Sequence, residues 1–157
     1  MFNCDQFRKL IIKPSLEKVG LYSEDAEELL VFTCAAESLG GTYLEQVGGL
    51  ALGIFQFEVA THKDLWRNFL AYKKDLLAIF NYELGIMTQP LSSRLVYDLE
   101  YATIMARLQY YRQKEALPSR YNLHSIWEYY KKYYNTPLGK ARQDEAISKY
   151  RLFTKSG

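Results

Sequence analysis

The chain has 157 residues, of which 48% are hydrophobic and 24% charged, and its formal net charge is +2. This length and composition are typical of one globular domain and exclude a disordered or fibrous chain. The net charge is small and the basic residues are dispersed along the sequence, so we expect no binding to nucleic acid.

Targeting and metal-binding signals are weak throughout the sequence. The N-terminal segment MFNCDQFRKLIIKPS has an apolar run of only three residues, so we expect no signal peptide, and no stretch approaches a membrane span. Cys4, Cys34, His62 and His124 have no metal-ligand spacing, which predicts neither a metal site nor a cofactor. A disulfide between the two cysteines stays an open alternative.

Helical patterns dominate, beginning with the first residues. The segment DQFRKLIIK predicts a short helix that is broken or kinked at Pro14 and continues to Gly20. A second helix is predicted over residues 22–38, with Ser23 as its N-cap, acidic residues in its first turn, and Gly40-Gly41 at its end.

The middle of the chain opens with a glycine-rich segment. Residues 39–56 hold five of the nine glycines and predict a loop or a small irregular β-hairpin within 39–52. An amphipathic helix is then predicted over residues 58–72, with Thr61 as a possible cap, and a short helix follows that ends at Gly85.

The longest apolar helical pattern covers residues 92–115. It is apolar on most sides, which indicates a central, buried helix. Pro118 ends this segment, and two further helices are predicted over residues 123–135 and 137–153. The predicted fold class is therefore all-α, with at most one small hairpin, in a single domain spanning residues 1–157.

An acid is predicted on the buried face of the second helix. Counting back from Glu37 in helical steps reaches Thr33, Leu30 and Ala26, the stripe that this helix buries. Burial and the negative end of the helix dipole both disfavour the carboxylate, so both raise its pKa. A carboxyl that is still protonated near neutral pH can protonate the leaving oxygen of a glycosidic bond. A side chain that reaches solvent at a frayed helix end is the alternative.

Four segments, in this order, resemble the soluble lytic transglycosylases and their goose-type lysozyme relatives. They are Glu37-Ser38 at a helix end, Gly53-Ile54-Phe55-Gln56 after a glycine-rich loop, the Asp98–Tyr111 helix, and Tyr134-Asn135 followed by Gly139 and Lys140. Glu37 and Gln56 are 19 positions apart, within one of the family spacing. The resemblance covers residues 22–141.

The resemblance implies a lysozyme-like domain around the central helix and cleavage of the β-1,4 bond between N-acetylmuramic acid and N-acetylglucosamine in peptidoglycan. Glu37 would act first as general acid and then as general base, so that the sugar's own 6-hydroxyl closes a 1,6-anhydro ring without water. The substrate-binding residues that the resemblance implies are Ser38, Gly53, Gln56, Tyr101, Tyr134 and Asn135. The Tyr134 hydroxyl would orient Glu37.

Structural roles are the alternatives for these residues: backbone approach for Gly53, core packing for Tyr134, and helix termination for Asn135. A hydrolase would need a second acid to hold water, and Glu45 in the glycine-rich loop is a candidate. Trp66 and Trp127 are expected to pack in the core rather than stack on sugars.

The sequence also departs from the family pattern. Tyr133 stands where the family has a small residue, Thr136-Pro137 replace Ala-Gly, and the loop after Ser38 lacks the family's Asn-Pro. The loop resembles a variant found in bacteriophage proteins. This likeness predicts a phage virion or lysis protein, present in the virion or the host cytoplasm before delivery to the periplasm, with peptidoglycan strands and other virion proteins as partners. A catalytically inactive, lysozyme-like structural part of a phage particle is the alternative.

Overall fold

The computed structural model describes residues 1–136 and 138–157, and the chain is 62% helical with one two-stranded sheet. This confirms the mainly α fold class. The α-helices are α1 (Cys4–Phe7), α2 (Lys13–Lys18), α3 (Glu24–Ser38), α4 (Val59–Asn68), α5 (Lys74–Ile79), α6 (Arg94–Tyr97), α7 (Leu99–Tyr111), α8 (Leu123–Tyr130) and α9 (Gln143–Thr154). The strands are β1 (Ala51–Leu52) and β2 (Phe57–Glu58). No helix in the described part of the chain is long and apolar enough to cross a membrane.

The first helical segment stays helical through Pro14. A π-helical turn, Arg8–Ile12, joins α1 to α2, and Pro14 lies in the first turn of α2. A wider turn at this point accommodates a residue that lacks a backbone N–H and whose ring crowds the preceding turn. The predicted break is therefore replaced by a local change of helical type.

Helix α3 begins and ends close to the predicted positions. Ser23 is the N-cap, and its Oγ accepts a hydrogen bond of 3.0 Å from the Ala26 N–H. The helix ends at Ser38 because the chain then turns left-handed, with φ angles of 51° at Leu39 and 62° at Gly40. This reversal leads the chain into the glycine-rich loop.

The hairpin lies further along the chain than predicted. β1 and β2 pair antiparallel with Ala51 opposite Glu58, and a bridge between Glu45 and Leu52 adds a third segment. Glu58 occupies the N-cap position of α4, so Thr61 lies inside that helix and the predicted cap at Thr61 is wrong.

The long central pattern forms two helices rather than one. Asp98 separates α6 from α7, and its carboxylate accepts a hydrogen bond of 2.9 Å from the Tyr101 N–H. The same carboxylate forms an ion pair with Arg94 at 3.1 Å. An N-cap with extended backbone thus restarts the helix, which then ends at Tyr111 rather than near residue 115.

Helix α7 is central, as predicted, and it divides the hydrophobic core into two clusters. One face packs Ala102, Ala106 and Tyr110 into a cluster shared with α3, α8 and α9. The other face packs Ile104, Met105 and Leu108 against α4 and α5. Both faces are apolar because both are covered.

The last two helices pack against α3. α8 continues as a π-helical turn, Lys131–Asn135, and together they cover the predicted helix over residues 123–135. α9 begins at Gln143, later than predicted, and Pro137, where that prediction began, lies outside the described residues. α9 lies along α3.

Residues near both ends of the chain close against the turn that follows α3. The Phe2 N–H donates to the Gly40 carbonyl at 2.8 Å. The Ser156 hydroxyl accepts from the Cys4 N–H and donates to the Phe2 carbonyl, both at 3.0 Å. Cys4 and Cys34 are buried free thiols, which leaves no disulfide between them.

Candidate active site

Glu37, in the last turn of α3, borders two adjoining cavities. The first has a volume of about 340 Å³ and extends past Gln56 and Gln109. The second has a volume of about 500 Å³ and extends past Tyr130 towards α9. Glu58 borders both cavities, as Glu37 does. We call this pair of cavities the Glu37 groove, because open space continues on both sides of the carboxyl.

The Glu37 carboxyl is a weak acid in this environment. Burial is the main cause and raises its pKa from 4.5 to about 7. A hydrogen bond from Tyr130 and the positive charge of Lys149 act in the opposite direction, whereas the nearby negative charge of Glu58 adds to the increase. A carboxyl with this pKa is still partly protonated at neutral pH, unlike a solvent-exposed glutamate.

A chain of polar contacts reaches Glu37 from the end of α8. The Tyr130 hydroxyl is close enough to the Glu37 carboxyl to lower its pKa, and the Asn135 side chain is close enough to Tyr130 to act on its pKa in the same direction. Lys131 Nζ donates to Asn135 Oδ1 at 2.8 Å and to the Gly139 carbonyl at 2.7 Å. Asn135 thus ends the π-helical turn and also borders the Glu37 groove.

Tyr134 does not occupy the orienting position that the resemblance implies. Its hydroxyl donates instead to the Phe55 carbonyl at 2.7 Å, and its ring stacks on Tyr110 at 5.4 Å. Tyr130, one helical turn earlier, takes the place next to Glu37. Tyr134 still borders the first cavity.

Ser38 holds the loop in place and cannot contact a ligand directly, because it is fully buried. Its hydroxyl donates to the Ile54 carbonyl at 2.6 Å and accepts from the Gly41 N–H at 2.9 Å. The expected substrate contact is therefore corrected to a link between the end of α3 and the hairpin.

Gly53 and Gln56 occupy the turn between β1 and β2. Gly53 has a φ angle of 78°, and a Cβ there would lie 2.0 Å from the Leu95 carbonyl oxygen, so the close approach is to backbone rather than to a sugar. Gln56 borders the first cavity, and its Nε2 donates to the Gly53 carbonyl at 3.0 Å. Of Gly53 and Gln56, only Gln56 borders the cavity and is in position to contact a ligand.

Tyr101 is buried in the core and does not line the groove, contrary to expectation. Its hydroxyl accepts from Trp66 Nε1 at 2.8 Å and lies 2.6 Å from His62 Nε2. This arrangement has the Tyr101 hydroxyl donate to a neutral His62, whose Nδ1 then faces the Ser92 hydroxyl at 3.2 Å. Trp66 is buried as expected, and so is Trp127.

The second carboxylate near Glu37 is Glu58 and not Glu45. Glu45 is exposed in the loop and borders neither cavity of the groove. Glu58 follows the hairpin and is close enough for its charge to affect the pKa of Glu37. Sequence spacing pointed to Glu45 because the pairing of β1 with β2, which places Glu58 at the groove, is not visible in the sequence pattern.

Sequence reasoning also missed two polar groups at the end of α7, Gln109 in its last turn and Arg112 directly after it. Gln109 and Arg112 border the first cavity, one helical turn apart. Gln109 Nε2 donates to the Tyr133 carbonyl at 3.2 Å, and Arg112 forms an ion pair with Asp64 at 2.7 Å. The only sign in the sequence that Gln109 and Arg112 lie on the same side of the helix is their spacing of three positions. Within residues 1–136 and 138–157, no three His, Cys, Asp or Glu side chains are grouped to hold a metal ion.

Comparison of the chain with known protein families, with characterised proteins and with solved structures found no match. The resemblance to lytic transglycosylases therefore depends on the four sequence segments described above.

Proposed function

We propose that the protein cleaves peptidoglycan as a lytic transglycosylase, with Glu37 as its single catalytic residue. The observation that carries this proposal is a carboxyl with a pKa of about 7 at the middle of an open groove. A glycosidase acid must reach a bound sugar and still hold its proton near neutral pH, and this environment supplies both conditions.

The proposed reaction uses the same carboxyl twice. Glu37 first donates its proton to the glycosidic oxygen, so the bond from that oxygen to C1 of the muramyl sugar breaks and the leaving sugar gains a hydroxyl. The resulting carboxylate then takes the proton of the muramyl 6-hydroxyl as its oxygen bonds to C1. The second step closes a 1,6-anhydro ring and restores the protonated acid without consuming water.

The size of the groove supports a sugar ligand on each side of Glu37. The two cavities, of about 340 Å³ and 500 Å³, fall in the range of small-molecule sites. The bulky Tyr133 does not obstruct them, because its ring packs against Tyr129 at 4.8 Å and borders neither cavity. This departure from the family pattern therefore leaves space for a substrate.

The test is clearing of a peptidoglycan suspension by purified protein. Glu37→Gln keeps the shape of the side chain and removes the transferable proton, so we expect clearing to fall at least 100-fold. Glu45→Gln is the matched control and should keep normal activity, because Glu45 lies outside the groove. Clearing that persists in Glu37→Gln would exclude Glu37 as the acid, and no clearing by the unmodified protein would favour an inactive structural component.

Hydrolysis is the second candidate function, because Glu58 borders the same two cavities as Glu37. A carboxylate near the general acid can hold the attacking water of a hydrolase. Mass spectrometry of the products separates the two reactions, because a transglycosylase leaves 1,6-anhydro ends and a hydrolase leaves reducing ends. A hydrolase that uses Glu58 would lose activity in Glu58→Gln, whereas the transglycosylase would retain it.

We also propose a phage setting, as a virion or lysis protein acting on the host wall with other virion proteins as partners. The sequence of the loop between Ser38 and Gln56 supports this setting, because it resembles a variant found in bacteriophage proteins. Detection of the protein in purified virions by mass spectrometry would separate a virion component from a protein found only in lysing cells.

A further inference from the structure

The two halves of the Glu37 groove differ in charge. The half that faces α9 is bordered by three exposed cations, Lys140, Arg142 and Lys149. Lys140 and Lys149 form no ion pair in the described part of the chain, and Arg142 pairs with the exposed Asp144 at 3.4 Å. These side chains come from one continuous segment, residues 140–149, which borders this half of the groove, and we call the segment the cationic wall.

Three acids border the same half, which equals the number of its cations. Glu145 lies on α9, Glu58 lies after β2, and the third is Glu37 itself. In the other half, Arg112 is the only cation among the described residues that border the cavity. It forms an ion pair with Asp64 at 2.7 Å. Among the described residues that border the groove, the cations without an ion-pair partner therefore lie on the α9 side.

One of these cations, Lys149, lies close enough to affect the charge of Glu37. The charge of Lys149 favours the anionic form of Glu37, so a negative group held beside this acid lies in the same field. A groove that exposes three cations in one half and a single, ion-paired cation in the other distinguishes the two ends of a ligand with uneven charge.

We infer that the α9 side of the groove binds the sugar that carries carboxylates, and that the opposite side takes the uncharged sugar. This inference rests on the proposed function. In peptidoglycan only the muramyl sugar bears a lactyl ether, whose carboxyl is free or extended by an acidic stem peptide. The cationic wall therefore fixes the direction in which the glycan strand lies across Glu37.

The probe is the disaccharide of N-acetylglucosamine and N-acetylmuramic acid with a free lactyl carboxylate, compared with the same disaccharide as its neutral methyl amide. Calorimetric titration should show the carboxylate form binding about 3- to 10-fold more tightly, as expected for exposed charge pairs. The preference should shrink as salt is raised. In NMR spectra, the carboxylate should shift the amide signals of Lys140 and Lys149 more than the neutral probe does.

The variant Lys140→Glu/Lys149→Glu should lose this preference. Lys9→Glu/Lys114→Glu is the matched control, because it changes the net charge equally at exposed positions outside the groove. Thermal unfolding of both variants checks that each is folded.

Equal affinity of the unmodified protein for the two probes would overturn the inference, and so would a preference that survives in Lys140→Glu/Lys149→Glu. The clearing assay reports separately on the proposed function. Glu37-dependent clearing without a carboxylate preference would overturn the inference alone. A carboxylate preference without clearing would support the inference and count against the catalytic proposal.

Discussion

The carboxyl of Glu37 shows how one residue takes its properties from its surroundings. Burial disfavours its anion, while Tyr130 and Lys149 stabilise that anion. The balance leaves the pKa at about 7, so the fraction of protonated acid falls steeply as the pH rises through the neutral range. Activity that requires the protonated acid should decline over the same interval.

Replacing Tyr130 should change this balance in a known direction. Tyr130→Phe removes the hydroxyl that lowers the pKa of the Glu37 carboxyl, so we expect that pKa to rise. The control is Tyr134→Phe, because the Tyr134 hydroxyl bonds to the Phe55 carbonyl instead. NMR titration of the Glu37 carboxyl carbon, assigned with Glu37→Gln, measures the change. A pKa that is unchanged or lower in Tyr130→Phe would contradict this account.

Ser38 should contribute to stability rather than to binding. Ser38→Ala leaves the buried Ile54 carbonyl and Gly41 N–H without their partner, which should lower the free energy of unfolding by about 2–3 kcal/mol. Urea unfolding measures the loss, and Ser148→Ala, at an exposed position of α9, should change it little. Equal stability of the two variants would show that the link between α3 and the hairpin is unimportant.

The sequence predicted the environment of Glu37 better than the roles of its neighbours. The buried stripe through Thr33 and Leu30 follows from helical spacing, and it places Glu37 at the edge of the core. Ser38 is rotated about 100° from Glu37 around the helix, so it faces the loop instead of the groove. Tyr101 was misplaced because α7 is apolar on both faces, and its sequence does not say which face a groove would border.

Among the elements, the turn of the hairpin depends most strictly on one residue. Gly53→Ala adds a Cβ that meets the Leu95 carbonyl oxygen, at a position that also has a positive φ angle. We expect a loss of about 3–5 kcal/mol in the free energy of unfolding. Gly48→Ala is the matched control, since Gly48 has a φ angle of 73° with open space around it, and it should lose only about 1–2 kcal/mol.

Thermal or urea unfolding of the two glycine variants separates backbone strain from the close approach. Equal losses would show that the Leu95 backbone moves away without cost. A larger loss in Gly53→Ala would show that the close approach of the hairpin to α6 adds to the cost of the left-handed backbone.

Helix boundaries were predictable where a cap or a glycine marks them and not where the helical pattern continues across a change. Ser23 marks the start of α3, and Gly85 ends the π-helical turn Phe80–Leu84 that follows α5; both boundaries were found in the sequence. The interruption at Asp98 was missed because apolar spacing continues on either side of it. The π-helical turns were missed because one extra residue in a turn barely alters the periodicity.

For the whole molecule, two buried groups make stability depend on pH in opposite directions. The folded state raises the pKa of Glu37 from 4.5 to about 7, so stability falls as the pH rises through this interval, by up to about 3 kcal/mol. Burial lowers the pKa of His62 from 6.5 to about 4, so stability is lost as the pH falls from 6.5 towards 4. The two effects partly cancel between pH 4.5 and 6.5.

Removing Glu37 should expose the contribution of His62. In Glu37→Gln we expect stability to rise with pH from 4 to 6.5 and then to level off. This variant should be more stable than the unmodified protein at pH 8 and similar to it at pH 4. Thermal unfolding across this range measures the change. If the pH dependence of stability is the same in Glu37→Gln as in the unmodified protein, folding does not raise the pKa of Glu37.

The closure of both chain ends on the turn after α3 couples remote parts of the sequence to the proposed acid. Phe2 and Ser156 lie outside the Glu37 groove, yet Phe2 bonds to Gly40 in the turn after α3, and Ser156 bonds to Phe2. A fusion partner or affinity tag at either end would therefore act on contacts that reach the turn directly after the helix that carries Glu37. Tags are better inserted at exposed loop positions. A loss of clearing activity after the chain ends are trimmed would reflect the loss of these contacts and not the loss of a catalytic group.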